Sequence, residues 1–391
     1  MGQSPDSNDC NDLEMGLPFL QGNAEFGLEH PTPRLWCTRP KKISSKGDLL
    51  FSVRAPVGAI NRSDQSYCIG RGLAAINVHS SQKALRKFQL LASVESFKKL
   101  LTGSTFEAIS TDDLKNLLLC IPNEGEIGLI TNFLDKKTAQ IDEAIAIKEQ
   151  QIALLKELKQ IIIRKAVTQG LDPNVPMKDP GVDWIGEIPE HWRVESNRSL
   201  FAESVEPGRE GLPLLSVSIH SGVSTEEVSD EDHIRGRVKI QDKTKYVLVK
   251  PGDVVFNMMR AWQGGIGAVT SDGMVSPAYI VARPKADILA EFFEYQYRCP
   301  EFIQQMDRYS KGITDFRKRL YWDSFKQLQT VVPPKSEQID IIRYIQEASA
   351  AADSGVSLLV SQIEKLKEYK TTLINSAITG KIKVTSDMVE A

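Results

Sequence analysis

Three stretches of the chain carry side chains able to hold or read a nucleic acid. The first is a run of cations, Arg34, Arg39, Lys41, Lys42, Lys46, Arg54, Arg62 and Arg71. Such groups can bind phosphates, and Arg can pair with the guanine edge. A solvated basic face would have the same composition. The second stretch, residues 257–267, reads NMMRAWQGGIG. Arg260 and Gln263 are the types that pair bidentately with guanine and adenine, and the glycines would let backbone come close to a ligand. No Lys-Ser/Thr follows, so the glycines do not make a P-loop. The third, residues 308–319, reads RYSKGITDFRKR and places Lys311, Arg317, Lys318 and Arg319 with Tyr309 and Phe316 around Gly312. Basic and aromatic side chains interleaved in a loop suit a nucleic-acid backbone, or a surface beside a protein partner.

Catalytic patterns are missing from the same sequence. The five histidines (His30, His79, His191, His220, His233) lie apart, and neither HExxH nor GxSxG nor a Rossmann glycine pattern occurs. Paired carboxylates leave no signature in spacing. The five cysteines (Cys10, Cys37, Cys68, Cys120, Cys299) form no CxxC pair, which argues against zinc and for reduced thiols in a cytoplasmic protein. No charged-then-apolar leader and no apolar run of about 18 residues occurs, so neither secretion nor a membrane span is expected. The 391-residue chain is 41% hydrophobic and carries a formal net charge of −3. It is long enough for two cores, and any DNA affinity must come from local basic surface or from partner subunits.

The elements that would position these residues are organised by a duplication. Residues 126–168 read as one helix, in which Leu134, Ile141, Ile145, Ile152 and Leu155 recur at helical steps among Lys, Glu and Gln. At ~1.5 Å per residue it would be about 60 Å long, a strut that needs a partner stripe. Residues 114–168 align without a gap on residues 325–379, an offset of 211 that superposes Pro122 on Pro333, Glu126 on Glu337 and Asp142 on Asp353. The second helix, residues 337–379, has its own stripe through Val356, Leu359, Ile363, Leu366 and Leu373. Each stripe can bury the other.

Upstream, KGDLLF (residues 46–51) resembles PGDVVF (residues 251–256), at an offset of 205. In each, the glycine permits a turn, Asp48 or Asp253 can cap it, and a buried strand follows. Further strands are expected at 49–53, 73–78, 213–219, 246–249, 253–258, 267–269 and 278–282, with helices at 85–101 and 289–308. The first thirty residues read as loop and short strands. Gly170, Pro173, Pro176 and Pro180 end the first strut and open a linker. The division expected is a first globule at 1–122, a strut at 123–169, a linker at 170–180, a second globule at 181–334, a second strut at 335–380 and a tail at 381–391.

Several phrases resemble one known family. GVDWIGEIPEHW (residues 181–192), GDVVF with its Gly-rich turn, GITDFRKRLYWDSFKQL leading into VPPKSEQ (residues 332–338), and INSAITGKI (residues 374–382) are similar to the DNA sequence-specificity subunit of Type I restriction-modification enzymes. The resemblance implies an α+β fold. It has two α/β target-recognition domains, separated by two long antiparallel helices that form a coiled coil with a pseudo-twofold repeat. Each domain would read one half of a split target in double-stranded DNA, and the helices would fix the gap. The chain itself would be non-catalytic and without a cofactor. S-adenosylmethionine would belong to two docked modification subunits that flip an adenine, and ATP and Mg to restriction subunits where present. A coiled-coil scaffold that binds only protein, or a truncated inactive specificity subunit, are the competing readings.

One departure stands out. The counterpart of the opening segment at Gly181 would fall ahead of Met1, so the first domain is expected to be abbreviated or its translation start to lie upstream.

Overall fold

The computed structural model describes residues 1–78, 82–101, 108–182, 185–225, 242–312 and 318–390. Part of the basic loop, including Arg317 and Phe316, falls outside the described residues, as do Trp184, His79 and His233. The chain divides into two compact units, residues 1–150 with 359–391, and residues 151–358. The strut helices, Glu124–Gln169 (46 residues) and Lys335–Ile378 (44 residues), each contribute to both units.

In the first unit, a three-stranded antiparallel sheet has Leu49–Ser52 between Ile60–Arg62 and Leu73–Ile76. All four residues of the central strand are buried, which is why its sequence is an apolar run with no alternation. Phe51 faces Phe97 of the helix Lys83–Leu101 at 6.0 Å between ring centroids. A five-stranded sheet, in which Leu17–Leu20 runs parallel to Tyr67–Ile69, completes the globule. Cys10, Cys37 and Cys68 share a small apolar cluster there as free thiols. Burial pushes the Cys68 thiol up to about 12. The strut is held by Leu85 and Phe88 against Ile130, Phe133, Leu134, Ile141, Leu373 and Ile374, with Ile145 and Leu366 at the edge.

The second unit repeats the plan with one more strand. Its antiparallel sheet runs Phe201–Ser204, Tyr279–Pro284, Val254–Asn257, Ile266–Ala268. Phe201, Phe256, Phe293, Tyr297 and Phe325 form a ring cluster with centroids 4.6 to 6.0 Å apart. The strand Arg193–Ser196 pairs antiparallel with Gln329–Val332. The helix expected at 289–308 is two helices, Ala290–Tyr297 and Pro300–Tyr309. Pro300 has no N–H and its ring would collide with the preceding turn, so the first helix stops and Pro300 starts the next.

The helices pair antiparallel within each unit. In the first, Lys370 bonds Asp142 at 2.6 Å and Lys148 bonds Gln362 at 2.6 Å. In the second, Lys159 bonds Asp353 at 2.8 Å. The stripe residues Leu134, Ile141, Ile363 and Leu373 are buried, whereas Ile145, Ile152, Leu155, Val356, Leu359 and Leu366 are half-buried. A pair of helices alone covers only one face of each. Gly355 brings its backbone close to Leu155, where an added Cβ would stand 3.3 Å from Leu155 Cδ1.

The GD turns behave as the sequence suggests. Gly47 and Gly252 take φ of 90° and 91°. Asp48 accepts from Ser45 N at 2.8 Å, and Asp253 from Lys250 N at 2.9 Å. Asp253 is 2% exposed and also takes two bonds from Arg283, whose guanidinium it holds more firmly protonated than usual.

Candidate nucleic-acid interface

The candidate surface in the second unit is built on the turn between Val254–Asn257 and Ile266–Ala268. Ala261, fully buried, anchors a single 3-10 turn over Ala261–Gln263, and Gly264 closes it at φ 88°. Arg260 O accepts from both Gln263 N and Gly265 N at 2.9 Å. The glycines therefore serve the protein's own packing. A Cβ on Gly265 would stand 2.8 to 3.0 Å from Arg260 atoms, and one on Gly267 would stand 2.8 Å from Val223 N. This replaces the expectation that they admit a ligand.

Arg260 is exposed, and its guanidinium donates to Gln263 Oε1 at 2.8 Å. Gln263 Oε1 thus accepts one hydrogen bond from Arg260 and keeps a second lone pair, and the bond holds the two side chains against each other. The second basic stretch arrives at the same place. Leu320 N donates to Met258 O at 2.9 Å, tying the end of that loop to the turn, and Lys311 and Arg319 exchange two backbone hydrogen bonds at 2.9 Å. Lys318 Nζ lies 5.3 Å from the centroid of the Trp262 ring and 2.7 Å from Asp307. The structure therefore brings Arg260, Gln263, Lys318 and Arg319 together, with Lys311 paired to Arg319. Trp262, within the quoted stretch, was not selected from the sequence, and its place among cations is the signal that marks it. An open cleft of about 890 Å³ beside it is lined by Arg164, Trp262, Glu301, Ile303, Asp307 and Lys318. The Asp323 carboxyl, bonded to Lys326 and near Lys311, is held below its ordinary range.

In the first unit the cations separate. Ile69 N donates to Lys42 O and Val53 N to Gly72 O, both at 3.0 Å, which gathers Lys41, Lys42, Arg54 and Arg71 at one end of the sheets. Arg62 pairs across from Leu49, at the opposite end of the strand from Arg54. Lys42, Arg54, Arg62 and Arg71 are exposed, while Lys41 is held by Asp6 at 3.0 Å.

The two candidate surfaces occupy equivalent turns. Arg54-Ala55 corresponds to Arg260-Ala261, and Gly58 (φ 101°) to Gly264 (φ 88°). Ile109 N donates to Val53 O at 2.8 Å, as Leu320 N does to Met258 O. Sequence alignment of the repeat had not linked Arg54 to Arg260, because a one-residue insertion shifts the register between the GD turn and this one.

Residues 38–157 match the family described as the Type I restriction modification DNA specificity domain. That stretch of this chain is similar to the domain so described. A 172-residue stretch is 36% identical to the MjaX specificity subunit of a type I restriction enzyme in Methanocaldococcus jannaschii, covering 43% of this chain and 39% of that relative. The chain thus matches less than half the length of that relative. The EcoBI specificity subunit of Escherichia coli is 25% identical over 403 residues of alignment, spanning 96% of this chain and 82% of it. A solved chain from a study of complex assembly and conformational transition of the type I R-M system has a TM-score of 0.65 at 14% identity, covering 94% of this chain and 92% of its own. That last likeness shows the mixed fold with long paired helices. The family named from the residues is the one the comparisons give.

Among the described residues no group of three or more His, Cys, Asp or Glu could hold a metal ion, and no helix is long and apolar enough to cross a membrane.

Proposed function

We propose that this protein is the sequence-specificity subunit of a cytoplasmic Type I restriction-modification complex, each unit reading one half of a bipartite target in double-stranded DNA. The observation that carries this reading is the repeated turn, which presents Arg54 in one unit and Arg260 in the other on the same backbone frame. Phosphate contacts from Lys318, Arg319 and Lys311, and from Lys41, Lys42 and Arg71, would position DNA, and the turn arginines would meet base edges. The chain is non-catalytic in this reading.

Two modification subunits would dock on the struts, bringing S-adenosylmethionine; restriction subunits would bring ATP and Mg. Support for two equal docking sites comes from exposed apolar pairs. The first unit exposes Ile147 (49%) and Tyr369 (56%), and the second exposes Leu358 (61%) and Leu158 (50%). These positions correspond under the same 211-residue offset. Large exposed apolar groups at equivalent positions suit repeated protein contacts.

The test is a methylome of cells expressing this chain with its modification subunits, before and after replacing residues 181–333 by those of another specificity subunit. Methylated adenines in a split motif, with one half changed by the exchange, are expected. Change in both halves or in neither overturns the one-unit-one-half assignment. In addition, four residues inserted near Gln150 add one helical turn, ~6 Å, and should lengthen the unspecified gap by roughly one to two base pairs.

A further inference from the structure

The repeated turn is one residue longer in the second unit, and the extra residue is Met259. Val53 and Met258 hold equivalent places. Val53 N donates to Gly72 O and Val53 O accepts from Ile109 N, as Met258 N donates to Ala278 O and Met258 O accepts from Leu320 N. Arg54 follows Val53 directly, whereas Met259 stands between Met258 and Arg260. The insertion is thereby confined to the position next to the turn arginine.

The turn holds this residue by both of its backbone polar groups. Met259 N donates to Asn257 Oδ1 at 2.9 Å, and Met259 O accepts the Trp262 indole N–H at 3.0 Å. Asn257 is a firm anchor. It is 9% exposed, and its own N–H and C=O are bonded to Gly265 O and Arg260 N, both at 2.9 Å. An extra residue at a strand end re-aims the chain, as a bulge does. Here it leaves Met259 42% exposed beside exposed Arg260, whereas Val53, which precedes Arg54, is 1% exposed. Single exposed apolar residues are ordinary on protein surfaces. Met259 differs in being fixed at both backbone groups and in adjoining the residue placed to read a base.

We propose that Met259 is a specificity-determining residue, meeting the C5 methyl group of a thymine in the base pair next to the one that Arg260 reads; this rests on the specificity reading given above. Arginine meets guanine O6 and N7 in the major groove, and the apolar group that this groove presents is the thymine methyl. Successive Cα atoms lie ~3.8 Å apart, close to the ~3.4 Å rise between base pairs, so the residue beside the arginine reaches the neighbouring pair. An unbranched thioether adapts its shape to a single methyl group. The first unit has no counterpart of Met259, so the contact belongs to one half of the target.

The experiment titrates the complex of this chain and its modification subunits with fluorescent duplexes of the methylated motif, in which each thymine in turn is replaced by deoxyuridine. Each replacement removes one methyl group and leaves the pairing intact. In the half assigned to the second unit, one deoxyuridine should weaken binding about three- to fivefold, the weight of one buried methyl group. Met259→Ala should weaken binding to the unmodified duplex by about three- to tenfold and should abolish the effect of that deoxyuridine, whereas Met259→Leu should keep both. Deoxyuridines in the other half should act alike on all three proteins. The deoxyuridine effect is read on the unaltered protein and needs no variant to fold. A half-motif without thymine, no deoxyuridine effect within it, or an effect that persists in Met259→Ala overturns the proposal and leaves the specificity reading standing. Equal binding of the motif and of a shuffled duplex overturns that reading, and the proposal with it.

Discussion

The two units share their backbone devices and differ in the side chains those devices display. Both have a GD turn with φ near 90°, a strand-turn-strand closed by a left-handed glycine, and a main-chain hydrogen bond tying the following loop to that turn. On this common frame the second unit sets Lys318 and Arg319, whereas Arg319 has Ala108 as its counterpart in the first. The aromatic core of the second also thins to aliphatic residues in the first, Phe325 to Leu114 and Tyr297 to Leu90. A duplicated scaffold can keep its geometry while its reading surface and core density drift apart.

The largest expected contrast is in the cores. Phe325→Ala removes a fully buried ring from a five-membered cluster and should cost about 3–5 kcal/mol of stability in the second unit. Leu114→Ala, at the equivalent but half-buried position, should cost roughly 1–2 kcal/mol, since part of the side chain already meets water. Denaturant unfolding followed by circular dichroism measures both. Equal costs would show that the first unit's core is as tightly closed as the second's.

Next come the turn arginines. Arg260→Ala and Arg54→Ala should each weaken specific binding by about 1–3 kcal/mol and relax the motif in one half only. Arg319→Ala should reduce the slope of log affinity against log salt by about one, with little change in base preference. Substitution of Ala108 by Ser should leave the slope unchanged. Titrations of the assembled complex at several salt concentrations separate these cases, and an Arg319 effect on sequence preference would move that residue from phosphate to base contact.

Most of the scaffold was legible before any coordinates. A 43-residue stretch repeating helical steps could be little else than a strut, and the gapless alignment supplied its partner. The GD turns were legible because glycine and aspartate have few other uses side by side before an apolar run. The candidate surface was less so. Arg260 and Lys318 are 58 positions apart, and the hydrogen bond from Leu320 to Met258 and the packing of Lys318 on Trp262, neither visible in spacing, bring their segments together. The Arg260–Gln263 bond depends on a 3-10 turn that no periodicity signals. Pro300 was misread as part of a continuous helix, although its missing N–H marks a helix start equally well.

The smallest contrast is in the struts, where the comparison should find none. Lys370–Asp142 and Lys159–Asp353 occupy equivalent positions, with lysine side chains 28% and 25% exposed and aspartates 58% and 67% exposed. Exposed pairs of this kind are worth ~0.2–1 kcal/mol and fade with salt. Double-mutant cycles on Lys370→Ala with Asp142→Ala, and on Lys159→Ala with Asp353→Ala, should therefore give coupling energies that agree within about 0.5 kcal/mol. A strut that carries two identical partner contacts needs the same local stiffness at both, and these pairs bracket the exposed apolar positions in each unit. If one cycle gave twice the other's coupling, the halves of the strut would have diverged as the reading surfaces have, and two equivalent docking sites would lose their support.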